Sequence, residues 1–455
     1  MKPRLFLLSL SNFAVQAWRD PLAFVAKVMV RLGYRPFGEN IAFTALGGQK
    51  ESDFNTNIVP SGTGQWNGRV LHVLTNSLPH STGGYAVRTH EILKAQLKIG
   101  IVASAITRLA YPVDIGRLPN SDREEIDGVK YARALPGIFP ASFSQQINKH
   151  AALIIAEALQ SNASILHTTT PWPNAAATSL AARKLGIPWI YEVRGEPEST
   201  WAAAQSNEQV ALVSNHFRRS RAKETEAMCA AAGVIALSKV SSDEIRKRGV
   251  RTPIWVVPNS VDSDWAALKV PKYEARKTLG LTQCRYVGAV SSIVEYEGFD
   301  TLVLALHHLP PDVKVLLVGD GSELSALQTL AKEEGLLDRV EFAGRQKAED
   351  IHLWYSALDV FAVPRKDSRL TRTVTPIKTL QARSFGIPIV ATDSPALREA
   401  AGAQATFIRS VNPKRLAKAL LNALGNGVNE EPSPQVPTWA QAAKHYEAIY
   451  EGFSQ

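Results

Sequence analysis

The feature that most constrains this chain is an alternation of short apolar runs with stretches of helical periodicity, repeated in two series. In RVLHVLTNSLPHSTGGYAVRTHEILKAQLKIGIVASAITR, residues 69–108, a strand at Leu71–Leu74 precedes a turn over 77–84, a helix over 86–97 and the strand IVASAIT. A helix over 144–160, the strand SILHT, a helix over 174–185 and the strand IPWIYEV follow. The series closes with a long helix over 215–231 and the strand GVIALS. Continuously apolar strands bury both faces, and strands separated by helices imply a parallel sheet with right-handed crossovers.

RTPIWVVPNSVDSDW, residues 251–265, interrupts the pattern with a strand and a Pro-Asn-Ser turn. The second series starts at RYVGAVSS. It continues through strand VKVLLVGD, helix 322–334, strand VEFAG, helix 348–356, strand DVFAVP, helix 376–385 and strand IPIVATD. At 455 residues the chain exceeds what one core organises. The expected fold is α/β, with two Rossmann-like domains facing across a cleft. An extension and linker over 1–68 precede domains over 69–262 and 263–435, and a helix over 436–455 is free to cross back to the first domain. Ligands of such sheets bind beyond the carboxyl ends of the strands.

Charge narrows the partner. The net charge is +9, with 20% charged and 45% apolar residues. A basic excess suits phosphorylated ligands or an anionic membrane. No basic block, zinc-finger spacing or repeat points to nucleic acid. Two cysteines, Cys229 and Cys284, make no disulfide framework, which fits a reducing, cytoplasmic setting. The start, MKPRLFLLSLSNFAVQAWRDP, has the cations, short apolar run and Ala14-x-x-Ala17 pattern of a signal peptide. The stretch from Trp18 to Leu32 reads instead as an amphipathic helix begun near Asp20-Pro21. Such a helix either docks on its own protein or lies on an anionic bilayer at the inner face of the plasma membrane.

The site candidates fall at strand ends. Gly83 and Gly84 precede a helix, where missing Cβ atoms let backbone amides approach an anion; a tight turn is the plain alternative. Gly319 and Gly321 flank Asp320 in VGDGSEL, with Ser322 expected to cap the next helix. YEVRGEPES offers Arg194 as a holder of phosphate or carboxylate, or as the partner of a nearby glutamate. His167, in LHTTTPWPNA, is either a core histidine or a cleft group. No cluster has metal-ligand spacing. The strongest signal is VPRKDSRLTRTVTPIK, whose cations Arg365, Lys366, Arg369, Arg372 and Lys378 gather in one loop before a helix. Pro376 is expected in that helix's first turn with Thr375 as its cap, and an anion there would gain free amides and side-chain charge.

Taken in order, GGYAVRTHEIL, YEVRGEPES, VVPNSVD, YVGAVSSIVEYEGFDTLVLAL, VLLVGDGSEL and VTPIKTLQARSFGIPIVATD resemble the retaining glycosyltransferase family 4 over roughly residues 69–450. The resemblance implies the GT-B architecture and a nucleotide diphosphate sugar held mainly by the second domain. It implies a glycan or lipid-linked acceptor on the first, in cell-envelope or polysaccharide biosynthesis, with no metal or cofactor. Arg369, Arg372 and Lys378 would stabilise leaving-group charge, with His167 and Arg194 as further catalytic candidates. Gly83, Gly84, Tyr296, Glu297, Gly298, Gly319, Gly321, Arg365, Thr375, Pro376 and Gln381 would line the donor. The chain departs from the family's paired acidic residues, which match Thr373 and Gln381 here. Its loop AVSSIVEYEG has Ala289 or a neighbour and Glu297 where an Arg and a Lys are common, and Thr169 takes the place of a first-domain histidine. An inverting transferase, an epimerase and a catalytically weak sugar-nucleotide-binding subunit are the competing expectations.

Overall fold

A computed structural model describes residues 2–19, 53, 55–425 and 436–454, and side chains at most of them. The chain divides into two compact units, Met1–Pro258 with Ala440–Gln455, and Asn259–Trp439. The second unit therefore begins at Asn259, and the last helix, Trp439–Glu451, belongs almost wholly to the first.

The first unit is built on strands β1 (Arg69–Leu74), β2 (Val102–Thr107), β3 (Arg123–Ile126), β4 (Val129–Ala132), β5 (Ile165–Thr169), β6 (Trp189–Val193), β7 (Gly233–Ala236) and β8 (Ile254–Val256). They form one sheet in the order β3-β4-β2-β1-β5-β6-β7-β8. Every residue of β5, β6 and β7 is buried, as apolar runs covered on both faces require. The order reverses at β1, whose neighbours are β2 and β5, so the crevice beyond β1 and β5 is the topological switch point of this unit.

The second unit holds β9 (Arg285–Val290), β10 (Val313–Val318), β11 (Val340–Gly344), β12 (Val360–Val363), β13 (Ile389–Thr392) and β14 (Thr406–Ile408). Its sheet runs β11-β10-β9-β12-β13-β14 and is parallel throughout. Here the order reverses between β9 and β12. The loops that follow those two strands, 291–298 and 364–376, carry the basic stretch singled out from sequence.

Several expectations are corrected. An antiparallel hairpin, β3–β4, sits at the edge of the first sheet. Its signal was the pair Asp127-Gly128, both left-handed at φ 50° and 78°, as a two-residue hairpin turn demands. The 55–68 stretch is not a loose linker: Ile58 and Val59 are buried, and Ser61 donates its amide to Ala230 O at 2.8 Å. The basic segment is not all loop, since Arg369–Thr373 forms a short helix. The next helix, Ile377–Ser384, has Pro376 at its N-cap, and Thr375 contributes no capping bond. Ser322 does not cap either, because helix Leu324–Glu333 begins one turn position later with Glu323 at its N-cap.

At the start of the chain, Lys2–Arg19 is a helix. Leu5 and Leu8 pack against Ala110, Val113 and Leu135, and Ser11 accepts the Phe139 amide at 2.9 Å. The amphipathic segment expected beyond Asp20 lies outside the described residues.

Candidate functional site

In the second unit the cations gathered by sequence separate into different environments. Arg365 is buried. It donates through Nε and Nη2 to the two carboxylate oxygens of Glu297 at 3.0 and 2.8 Å, and through Nη1 to Val374 O at 3.1 Å. Its guanidinium lies 5.9 Å from the centre of the Tyr296 ring, and Lys366 donates its amide to Tyr296 O. Gly298 completes the weld between the two loops. Its φ is 73°, and a Cβ there would stand 2.0 Å from Pro364 O. Glu297, Gly298 and Arg365 thus shape the crevice rather than present free charge to it.

Arg372 lies at the surface, in a two-bond pair with Asp367 at 2.6 and 2.5 Å. Arg369 is half-buried at the start of the short helix. Lys378 differs from both. It occupies the second position of helix Ile377–Ser384, half-buried, with Nζ 3.4 Å from Ser291 Oγ. Burial lowers its pKa to about 8; Glu297 pulls it up and Arg365 pushes it down. An ammonium in this position lacks full hydration and would gain from an anion. Ser291 and Lys378 therefore bring together the end of β9 and the helix that follows β12, at the switch point. Gln381, one turn along, accepts the Tyr355 hydroxyl at 3.0 Å on Oε1.

The two glycine pairs part company. Gly319 and Gly321 serve loop packing. A Cβ on them would meet Ser291 O at 1.8 Å and Ile293 O at 2.1 Å. Their amides are taken by Gly344 O and by Asp320 Oδ1. Both amides are therefore engaged within the protein. Gly83 and Gly84, in the first unit, are exposed, and a Cβ added to either would meet none of the described residues within 4 Å. Gly83 caps helix Gly84–Lys98 without a side-chain bond, at the mouth of the β1 loop. The approach is open there, and the helix start favours negative charge.

What holds this open turn was only partly legible in sequence. Upstream, the Tyr111 hydroxyl donates to Ser77 O, and Arg133 donates to Ser77 Oγ and to Leu78 O at 2.9 Å. His80 and Arg133 share the Glu124 carboxylate, so the β3–β4 hairpin fixes the loop. Downstream, Arg194 Nη1 donates to Tyr85 O at 2.9 Å while the Tyr85 hydroxyl donates to Arg194 O. Arg194 Nε donates to Glu192, so of its two sequence readings the structure realises the ion pair.

His167 is fully buried. It lies between Glu192 Oε2, 3.0 Å from Nε2, and the Tyr450 hydroxyl, 2.7 Å from Nδ1, with its ring stacked on His72. Burial pushes its pKa below the usual value, more than Glu192 raises it. The other carboxylates of YEVRGEPES are enclosed too. Glu196 and Glu198 both face Arg248, at 3.1 and 2.8 Å, and Glu198 is close enough to Glu224 to raise its pKa. Among the described residues no group of three or more metal-ligating side chains is assembled.

Comparison with known proteins matches these two units. Residues 83–260 fit the model of a glycosyl transferase 4-like domain, and residues 272–438 that of glycosyl transferases group 1. A GDP-mannose-dependent alpha-(1-6)-phosphatidylinositol monomannoside mannosyltransferase of Mycolicibacterium smegmatis is 31% identical over 30% of this chain and 37% of its own length. A D-inositol 3-phosphate glycosyltransferase of Xylanimonas cellulosilytica is 27% identical over 54% of this chain and 60% of its own. The chain thus spans less than two thirds of either relative. Among solved structures, sucrose-phosphate synthase from Thermosynechococcus elongatus superposes with a TM-score of 0.62 at 19% identity, covering 85% of this chain and 96% of that one. Anabaena HepE in complex with UDP superposes with a TM-score of 0.61 at 18% identity, covering 85% and 97%. The fold is GT-B, and the two domain matches together support placing the chain in a GT-B glycosyltransferase family.

Proposed function

We propose that this protein transfers a sugar, with retention, from a nucleotide diphosphate sugar to a glycan or lipid-linked acceptor of cell-envelope or polysaccharide biosynthesis. The observation that carries the reading is Lys378, a half-buried ammonium beside Ser291 at the switch point of the second unit. The relatives named above include a GDP-mannose-dependent enzyme, and the HepE neighbour was solved with UDP. In the proposed reaction the bond from the anomeric carbon to the diphosphate breaks, and Lys378 stabilises the charge that develops on the leaving oxygen. Arg372, expected from sequence to share this task, is already paired with Asp367 at the surface, so the charge on the leaving group is assigned to Lys378. The acceptor oxygen bonds to the same face, and its proton passes to the departing diphosphate. The exposed amides at Gly83–Gly84 are suited to phosphate or to sugar oxygens.

Retention is favoured over inversion by the burial of the alternatives. An inverting transferase needs a general base within reach of the acceptor proton. His167, Glu196 and Glu198 are respectively 0%, 7% and 1% exposed; His167 faces Glu192, and both glutamates face Arg248. The reaction is proposed to need neither metal nor cofactor. A mass-resolved screen of nucleotide sugars with the full chain tests the reading, and the anomeric configuration of the product tests retention. Failure to bind any nucleotide or nucleotide sugar would sink it.

The proposal extends to the cytoplasmic side of an anionic membrane. Helix Lys2–Arg19 turns Leu7, Leu10 and Phe13 outward, each about half exposed or more, where a surface helix ordinarily carries polar side chains. Its sequence contains Lys2, Arg4 and Arg19 and no acidic residue. No helix among the described residues is long and apolar enough to cross a membrane. Protein lacking residues 1–35 should lose association with anionic vesicles while keeping nucleotide binding, and equal association would reject the membrane role.

A further inference from the structure

Beneath the open glycine turn of the first unit, Glu192 is completely buried at the middle of a polar cluster. Its Oε1 accepts from Arg88 Nε at 2.8 Å and from Arg194 Nε at 2.9 Å. Its Oε2 accepts the Tyr446 hydroxyl at 3.0 Å and lies 3.0 Å from His167. Arg88 is 1% exposed, and its remaining donors reach in another direction. Nη1 donates to Pro258 O at 2.9 Å, and Nη2 donates to Val257 O at 2.8 Å and to the Tyr446 oxygen at 3.0 Å. Val257 and Pro258 are the last residues before the chain leaves this unit, and Tyr446 lies on the helix by which it returns. Arg194, on the opposite side of the carboxylate, holds Tyr85 O and Thr89 Oγ1 at the start of the helix that Gly83 caps.

We propose that Arg88, Glu192 and Arg194 form a coupling inside the first unit, by which the conformation of the Gly83–Gly84 turn and that of the exit and return segments depend on one another. Arg88 and Arg194 are positioning residues in this arrangement. The inference rests on the proposed function only in taking the turn to face a ligand.

Two physical facts favour coupling over mere support. A helix is docked more cheaply by apolar packing than by burying ions, and a buried ion pair is sensitive to geometry in a way that an apolar contact is not. Two guanidiniums against one carboxylate also leave the cluster one positive charge in excess, because burial favours the neutral form of His167. Arg194 Nη2 has no hydrogen-bond partner among the described residues. An anion at the turn would offset that charge, and the shift in the cluster would be felt at Val257, Pro258 and Tyr446, which Arg88 holds.

Hydrogen exchange on the full chain tests this without knowledge of the substrate. Arg194 and Tyr446 bind opposite oxygens of Glu192, so Tyr446→Phe should speed exchange in peptides covering 79–86, and Arg194→Lys in peptides covering 440–450. Each is expected at roughly 3- to 10-fold, the loss of about one buried hydrogen bond. The double variant should fall short of the product of the two, as coupled sites do. Peptides over β10, in the other unit, should be unchanged, which excludes global destabilisation. If Arg194→Lys does not fold, Thr89→Ala removes one of its partners and replaces it in the cycle. Effects confined to each variant's own side, with a multiplicative double, would overturn the coupling. UDP, added to the wild type, should slow both peptides together, and in Tyr446→Phe only the first. If UDP does not bind, that counts against the transferase reading, while the variant cycle still decides the coupling.

Discussion

Arg365 and Glu297 are joined by two parallel hydrogen bonds, at 3.0 and 2.8 Å, between loops that follow β12 and β9. Both side chains are buried, so the pair is lightly screened, and neither charge is free for a ligand. Removing one partner from such a pair strands the other. Glu297→Gln should therefore lower unfolding stability by about 3 to 5 kcal/mol, the range for breaking a buried pair. Urea denaturation of the variant checks this. A loss below about 1 kcal/mol would mean that the loops are held chiefly by Gly298 and by the backbone bond from Lys366 to Tyr296.

The glycine pairs should respond in opposite ways to the same small change. Gly321→Ala places a methyl 2.1 Å from Ile293 O, a contact that only a backbone shift relieves. Gly319→Ala adds a left-handed φ of 143° to a similar clash. Both should yield unstable or insoluble protein. Gly83→Ala meets none of the described residues within 4 Å, at a φ of −69° that alanine adopts readily. That variant should keep its melting temperature to within a few degrees and weaken nucleotide or donor binding instead. Thermal melts with UDP titrations on the three variants separate the outcomes, and unchanged binding in Gly83→Ala would remove the turn from the site.

Much of this fold was legible because its central strands are buried on both faces. Runs such as IPWIYEV and VKVLLVGD have few readings once helices separate them, and they became β6 and β10. The site was less legible, because charge in sequence does not say where charge goes in space. VPRKDSRLTRTVTPIK displays its cations as one group, yet Asp367 is within reach of Arg372 and Glu297, sixty-eight residues upstream, captures Arg365. Lys378 is left desolvated, with no carboxylate paired to it among the described residues. Likewise VGDGSEL and HSTGGY look alike as glycine turns, but the first packs against a neighbouring loop and the second opens to solvent. Those distinctions depend on contacts between distant segments, which local pattern does not contain.

Glu224 provides a pH signature for the first unit. It accepts the Trp172 amide at 2.8 Å and the Tyr191 hydroxyl at 2.6 Å, and burial followed by repulsion from Glu198 raises its pKa to about 8. The unfolded carboxyl ionises near 4.3. Between those values the folded protein holds a proton that the unfolded chain releases. The contribution of Glu224 is complete below about pH 4.3 and is lost as pH rises toward about 8. Glu224→Gln lacks this dependence, so its stability relative to wild type should improve from pH 5 to about pH 8 and then level off in urea titrations. A constant difference across that range would show that Glu224 is ionised in the native protein.

Lys378 has the opposite charge and a pKa moved the other way. Burial brings it to about 8, while the unfolded side chain titrates near 10.4. Between those values the unfolded chain binds the extra proton, so this residue's penalty on folding is greatest below about pH 8 and disappears as pH rises to about 10.4. Binding should show the reverse trend, because only the ammonium attracts a diphosphate. From about pH 7, where the terminal phosphate of UDP is largely ionised, UDP affinity of the wild type should be level to about pH 7.5 and fall above about pH 8, with the midpoint moved upward at saturating UDP because the anion favours the charged form. Lys378→Arg keeps its charge throughout and should show no such fall, whatever affinity its different shape allows. Lys378→Met should lose about 1.5 to 3 kcal/mol, a weakening of roughly 10- to 100-fold, at pH 7. It should also be more stable than wild type toward urea at that pH, since it removes a desolvated charge. Calorimetric titration of the three proteins with UDP at pH 7 and pH 9 reads the affinities, and urea denaturation at pH 7 reads the stability. Equal UDP affinity in Lys378→Met and wild type would move the diphosphate away from the helix start and leave the lysine a structural role.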